Sequence, residues 1–423
     1  MTAFYLSIVI FLATYVFIIF EKVHRTIIAL VGAGLAIALG LLSQEAAIEY
    51  IDFNTLGLLI GMMIIVGITR RSGVFGYLAI KAARVAGGKP LRILVALAVV
   101  TAVLSAFLDN VTTVLLIVPV TFVLTDHLEV PAFPFLFAEI LASNIGGTAT
   151  LIGDPPNIMI GSATHLGFLD FIVNLAPIVI VIMIITLLCL VLMFRKDLRA
   201  DSQKMESIMA MNAREEIRDW AILKKSLLVL GLTISAFFLH GFLHLETATI
   251  ALLGAAVLML ICAEEPEDIL LSVEWPTIFF FAGLFIIVGA MEANGVMELL
   301  ARQAMELTGG SLTATAVVVL WISAVFSAFV DNIPFVATMI PLLKTIGQMS
   351  GLTMDPIWWA LSLGACLGGN GTLIGASANI IVAGISERHG QHIGFIDYLK
   401  YGFPLMLLSI AIANLYICLF LLP

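Results

Sequence analysis

Charge is what this chain of 423 residues has least of. Only 12% of its residues are Asp, Glu, Lys or Arg, against 61% hydrophobic. Soluble domains carry about 25% charged and roughly 45–50% apolar residues. A soluble core cannot bury that surplus, so the composition excludes an ordinary soluble protein and points to a lipid bilayer. The formal charge of −9 is spread over the chain without a basic stripe, which excludes a nucleic-acid surface. Cysteine is scarce too. Cys189, Cys262, Cys366 and Cys418 lie far apart with no CxxC pair, so neither a disulfide framework nor a zinc site is indicated. The glycine-rich segment 146–153 lacks the GK[ST] of a phosphate-binding loop. No nucleophile–base pair or metal cluster stands in the apolar runs, so the reading is of a protein that is not an enzyme and has no cofactor. The first run, Tyr5–Phe20, has no basic leader and no small-residue cleavage site, and reads as a span rather than a signal peptide.

What is present is a repeat. Residues 105–110 read SAFLDN and residues 327–332 read SAFVDN, an offset of 222. The same offset carries Pro119 onto Pro341, GGTATLIG (146–153) onto GGNGTLIG (368–375), Asn157 onto Asn379 and Asp52 onto Glu274. No gap is needed over more than a hundred residues. Residues 1–194 form the first transmembrane repeat, 195–221 a charged, solvated cytoplasmic linker, and 222–423 the second repeat.

Each repeat has the same apolar plan. Spans near 3–21, 26–43 and 54–70 approach the ~20 residues that cross a bilayer. Two interrupted segments follow, 92–126 and 133–165, and then a span at 170–194. The second copy has them at 222–245, 247–263, 275–292, 314–348, 357–387 and 398–421. Irregular backbone is not tolerated in contact with lipid, so the interruptions are buried in protein or line a wet cavity. If 92–126 enters and returns as a re-entrant hairpin, each repeat crosses five times, and an odd number inverts the second copy. Charge agrees. Arg70, Arg71, Lys81, Arg84, Lys89 and Arg92 become Glu292, Ala293, Gln303, Glu306, Ser311 and Ala314 at the offset. By the positive-inside rule the first loop is cytoplasmic and the second outside, which leaves both termini outside. The expected fold is therefore an all-α polytopic membrane protein of two inverted repeats, each with about five spans, a re-entrant hairpin and a broken helix. Paired broken segments in inverted repeats mark the midplane binding site of a transporter.

The residues at the breaks define that site. The first half offers Ser105, Asp109, Asn110, Thr112 and Thr113 at the hairpin tip, with Ser143, Asn144, Gly146, Gly147, Thr148, Thr150 and Asn157 at the broken helix. The second offers Ser327, Asp331, Asn332 and Thr338, then Asn370, Thr372, Ser377 and Asn379. Glycines let backbone groups approach a small ligand, and half-helix ends supply partial charge. A carboxylate at midplane costs roughly 2.5–3.5 kcal/mol even on lenient scales, which makes Asp109 and Asp331 coupling-ion or proton sites by default. Asp154, in GDPPN, is a third such acid, and its counterpart is Ala376. No Lys or Arg stands at either break, so a polyanion would meet acids and no fixed positive charge. Protons, cations or a neutral hydroxylated solute fit better. Cys366 stands where the first half has Asn144. Thr112-Thr113 become Pro334-Phe335, which makes the second half of the site drier.

At these motifs the chain resembles the ion transporter superfamily, which includes ArsB arsenite pumps, NhaD sodium/proton antiporters, the melanosomal P protein and divalent anion/sodium symporters. SNIGGTATLIGDPPN (143–157) is most similar to the P-protein and ArsB branch, and the resemblance spans nearly the whole chain. It implies a scaffold domain, often dimeric, and a moving transport domain holding hairpins and broken helices. The dicarboxylate symporters carry Ser-Asn-Thr at the hairpin tips; here Asp109-Asn110-Val111 and Asp331-Asn332-Ile333 stand instead, which favours proton coupling. The expectation is a multi-pass protein of the cell's inner (plasma) membrane that exports arsenite or antimonite in exchange for H+. The alternatives are sodium/proton antiport, with Na+ on the same acids, and sodium-coupled uptake of an organic or inorganic anion. The expected partners are the small inorganic substrate, the lipid bilayer, a second copy in a homodimer and, as in some arsenite pumps, a cytoplasmic ATPase subunit, with no nucleic acid.

Overall fold

The computed structural model describes residues 2–20 and 22–422, and its regular structure is entirely helical among them. The first half contains α1 (Thr2–Phe20), α2 (Arg25–Ala38), α3 (Phe53–Arg71), α4 (Val74–Val85), α5 (Pro90–Leu108), α6 (Asn110–Leu128), α7 (Phe133–Gly147), α8 (Pro155–Ala163) and α9 (Phe168–Phe194). The second contains α10 (Trp220–Leu243), α11 (Thr247–Cys262), α12 (Trp275–Ala293), α13 (Val296–Thr308), α14 (Leu312–Phe329), α15 (Asn332–Ser350), α16 (Asp355–Gly368), α17 (Ser377–Arg388) and α18 (Phe395–Tyr416). Every helix of the first half recurs in the second at the 222-residue offset, to within a few residues at its ends. Among the described residues, 9 helices are long and apolar enough to cross a membrane.

Local chemistry explains where the helices stop. Pro90, Pro134 and Pro155 stand in the first turns of α5, α7 and α8, where a missing N–H costs nothing. Gly73 and Gly295, at φ 82° and 79°, make the left-handed turn before α4 and α13. These two amphipathic helices occupy stretches expected only as loops. The expected segment 92–126 is two helices, α5 and α6, parted at Asp109. The segment 133–165 is α7 and α8, parted by seven non-helical residues, 148–154.

Lipid offers no hydrophobic drive between helices, so close packing needs small residues. A side-chain carbon on Gly61 of α3 would lie 2.6 Å from the backbone of Ala251 in α11, and one on Gly283 of α12 would lie 2.8 Å from that of Ala29 in α2. Under the offset, Gly61 becomes Gly283 and Ala29 becomes Ala251. The two contacts are one contact seen from each half, a reciprocity that only an approximate two-fold relation produces.

The linker, expected as a charged and solvated segment, is partly docked and partly helical. It carries a helix, Ser202–Ala210, that packs on α6, and a 3-10 turn, Ala213–Glu216, that packs on α4. Ile208 and Ala213 are buried, and the Arg218 N–H donates to the Ser72 carbonyl at 2.9 Å. Its charge faces water while its few apolar residues dock.

Candidate functional site

Both hairpins are pinned to the broken helices by the same hydrogen bonds. The Ser105 hydroxyl donates to the Ser143 carbonyl, and that of Ser327 to the Ala365 carbonyl, each at 2.6 Å. Thr150 donates to the Ala106 carbonyl and Thr372 to that of Ala328. All four positions are exchanged by the offset. The glycines make the approach close enough: a side-chain carbon on Gly146 would lie 2.2 Å from the Ala102 carbonyl oxygen, and one on Gly368 2.6 Å from that of Ala324. The hydroxyls of Ser143 and Thr148 go to carbonyls of their own helix, while those of Thr150 and Thr372 reach across to a hairpin and hold the breaks together.

At the centre is a buried chain of amides. Asn110 Nδ2 donates to Asn144 Oδ1 at 3.0 Å. Asn144 Nδ2 donates in turn to Asn370 Oδ1 at 2.9 Å and Asn379 Oδ1 at 3.0 Å. One hairpin tip and both broken helices thus meet through Asn144. Asn157 and Asn379 each tie their own break, donating to the Thr150 and Thr372 carbonyls respectively at 2.9 Å. The pseudo-equivalent of the Asn144–Asn379 contact is Cys366 to Asn157 Oδ1, at 3.6 Å. A thiol cannot carry the chain onward as an amide does. Asn332, the equivalent of Asn110, turns instead to Asp154, with Nδ2 at 3.2 and 3.3 Å from its two carboxylate oxygens.

The two hairpin acids differ. Asp109 sits at φ 121°, a conformation that costs a non-glycine residue about 1–3 kcal/mol and is found where function requires it. Its carboxylate caps α6, accepting from the Thr112 N–H at 2.8 Å and the Thr112 hydroxyl at 2.6 Å. No basic side chain is ion-paired with it among the described residues. Asp331 caps α15 with ordinary backbone, and its Oδ2 accepts from Arg25 Nη1 at 2.7 Å and from the Ser377 hydroxyl at 2.6 Å. Arg25 also donates to Ser377 at 2.7 Å and lies over the Phe280 ring, 4.9 Å from its centre.

Arg25 corrects the expectation that no fixed positive charge reaches the breaks. It stands at the start of α2, and only folding brings it to the second hairpin tip. Its counterpart is Thr247, so the first hairpin has no such partner. Thr338 is also drawn off the main cluster, bonded to Tyr15 of α1 at 2.7 Å. Thr113 is buried with its hydroxyl unpartnered. A cavity of about 280 Å3 is lined by Val23, His24, Arg25, Ser377, Ile380 and Ile381. A second, of about 440 Å3, runs between α8, α12 and α15 and is lined by Asp52, Glu292 and Lys344 among others. The sequence reading missed one buried acid: Glu139, fully enclosed in α7. Its signal was available as a single acid inside an apolar run.

The arrangement offers amides that both donate and accept, two acids, Asp109 and Asp154, with no base paired to them among the described residues, and one acid, Asp331, locked to an arginine. The family model described as Citrate transporter matches residues 15–364. An uncharacterized transporter of Mycobacterium tuberculosis, Rv2684, is 45% identical over 97% of this chain and 97% of its own length. The human P protein is 36% identical over 95% of this chain, which spans 58% of that larger protein. The crystal structure of the YdaH transporter of Alcanivorax borkumensis, described as having an unusual topology, superposes with a TM-score of 0.56 over 93% of this chain and 96% of its own, at 15% identity. That likeness is one of fold.

Proposed function

The chain belongs to the citrate transporter family of membrane proteins, and on that premise we propose that it is a proton-coupled secondary transporter that exports arsenite or antimonite. The carrying observation is the amide chain Asn110–Asn144–Asn370/Asn379 beside Asp109, an acid with no base to neutralise it. Arsenite is neutral and hydroxylated. Its hydroxyls exchange for the amide–amide bonds, each amide giving a donor and an acceptor, while Asp109 takes the proton that returns. Asp154 of the first half and Asn332 of the second form a further polar wall where the halves meet. Five crossings per repeat and the loss of all six basic positions support an inverted second copy, with the linker cytoplasmic and both termini outside the plasma membrane. The cavity at Arg25 then opens to the cytoplasm and the one at Lys344 to the outside.

A second reading has its own observation. Arg25 stands at the edge of a cavity and is held there by Asp331. If a proton on Asp331 releases it, the guanidinium can bind a carboxylate or oxyanion bidentately, and the protein moves an anion with protons or sodium.

Everted vesicles with a pH-sensitive dye separate these readings. Proton movement on adding arsenite or antimonite, and not Na+, Li+ or citrate, is the expected result. Movement on adding citrate alone selects the anion reading. Movement on adding Na+ or Li+ overturns both in favour of sodium/proton antiport.

A further inference from the structure

Glu139 lies outside the amide cluster and takes no part in the exchange described above. It is 0% exposed. One carboxylate oxygen accepts from the Thr121 hydroxyl of α6; the other is buried with no partner in the structure. The helices packed on α7 include α5, α6, α9, α16 and α17. Their charged side chains (Arg92, Asp126, His127, Asp170, Asp355, Glu387 and Arg388) all stand near helix ends and are exposed, save Asp355, which is half-buried. The other titratable groups on elements against α7 are Cys189 of α9, the buried Cys366 of α16, and Tyr398 and Tyr401 of α18, which pack on Phe137. None is bonded to Glu139.

The repeat supplies an internal control. At the offset, Thr121 becomes Leu343 and Glu139 becomes Leu361, both 0% exposed. The fold packs this pair of positions with two leucines in one half and with a hydroxyl and a carboxylic acid in the other. Packing therefore does not require the polar pair, and a buried ionisable group inside a membrane segment marks an ion or proton path.

Position says which path. Helices α6 and α7 form an antiparallel pair. At its inner end Asn110 meets Asn144, and at its outer end Glu129 pairs with Lys204 of the linker. Glu139 lies between, one turn before Ser143. The exposed His389 stacks on Phe122, beside Thr121, with ring centres 4.1 Å apart.

We propose that Glu139 is a second proton-carrying residue, set between the amide cluster at the hairpin tip and the membrane face that bears the linker and His389. This rests on the proton-coupled reading above. A proton on the Asp109 carboxyl passes to Glu139 through intervening water, one O–H bond breaking as another forms, and leaves Glu139 for water at the linker face. Thr121 is a positioning residue: its hydroxyl holds the carboxyl toward α6 and away from the apolar side of α7.

Purified protein in liposomes tests this with arsenite, antimonite, Na+ and citrate offered in turn under a pH gradient. Substrate self-exchange, which needs no net proton transfer, is measured beside proton-driven net flux. For whichever substrate moves protons in the wild type, Glu139→Gln is expected to keep self-exchange within about twofold and to lose net flux at least tenfold. Thr121→Val is expected to shift the pH profile of net flux while keeping part of its rate. Wild-type net flux in Glu139→Gln overturns the proposal and leaves proton coupling standing. If the wild type moves no protons with any substrate, the coupled reading itself falls, and this proposal with it. If Glu139→Gln loses both activities, the double variant Thr121→Leu with Glu139→Leu, which copies the packing of the second half, decides. Recovered self-exchange without net flux supports the relay; loss of both overturns it in favour of a structural role.

Discussion

Arg25 Nη1 lies 2.7 Å from Asp331 Oδ2, across 306 positions of sequence, and joins the first turn of α2 to the tip of the opposite hairpin. The corresponding tip residue, Asp109, has only Thr112. The two halves share a backbone plan and differ in charge at its centre, so the twofold-related acids stand in different surroundings.

Removing one member of that ion pair strands the other. Arg25→Met is expected to destabilise the protein by about 3 kcal/mol, because a buried carboxylate loses its partner. Adding Asp331→Asn recovers much of the loss. Thermal unfolding in detergent checks this; a double variant no more stable than Arg25→Met would show that the pair is not coupled.

Asp109→Asn keeps the cap on α6 and removes the titratable proton. It is expected to abolish proton-driven flux while leaving self-exchange measurable. Asp331→Asn instead frees Arg25, and in the anion reading it raises affinity for citrate. Parallel flux and binding measurements on the two variants show whether the acids are divided as the geometry divides them.

Gly146→Ala places a carbon 2.2 Å from the Ala102 carbonyl oxygen, and Gly368→Ala places one 2.6 Å from that of Ala324, both well inside contact distance. Each wedges a hairpin off its broken helix. A displacement of about 1 Å at a binding constellation costs on the order of 100-fold in rate, and transport is expected to fall by that much in both. Gly384→Ala meets nothing within 4 Å and should transport as the wild type does.

Opposite orientation of the repeats is checked by thiol labelling in a background carrying Cys418→Ser. Lys204→Cys, in the linker, is expected to react only from the cytoplasmic side. Gln303→Cys, on α13, is expected to react only from outside. Labelling of both from one side would mean the second repeat is not inverted.

The sequence by itself determined a great deal. Its charge content required a bilayer, because apolar surface on that scale has nowhere else to go. The offset of 222 determined the helix plan, since equal patterns of apolar runs, prolines and glycines produce equal helices. It also located the breaks, because Asp-Asn and Gly-Gly inside an apolar run cannot face lipid. Tertiary structure alone decided which polar groups meet. Arg25 reads as an ordinary cytoplasmic boundary residue, and only the folding of α2 against α12 carries it to Asp331. Asn144 reads as one polar residue among several, and its place as the junction of three elements follows from the approximate two-fold that brings both broken helices together. Glu139 was visible as a residue but not as a site, since its meaning lies in a partner on another helix and in the leucines that replace both across the two-fold. Local patterns are set by neighbours in sequence. The charge balance of a buried site is set by neighbours in space, and in this chain those come from opposite halves.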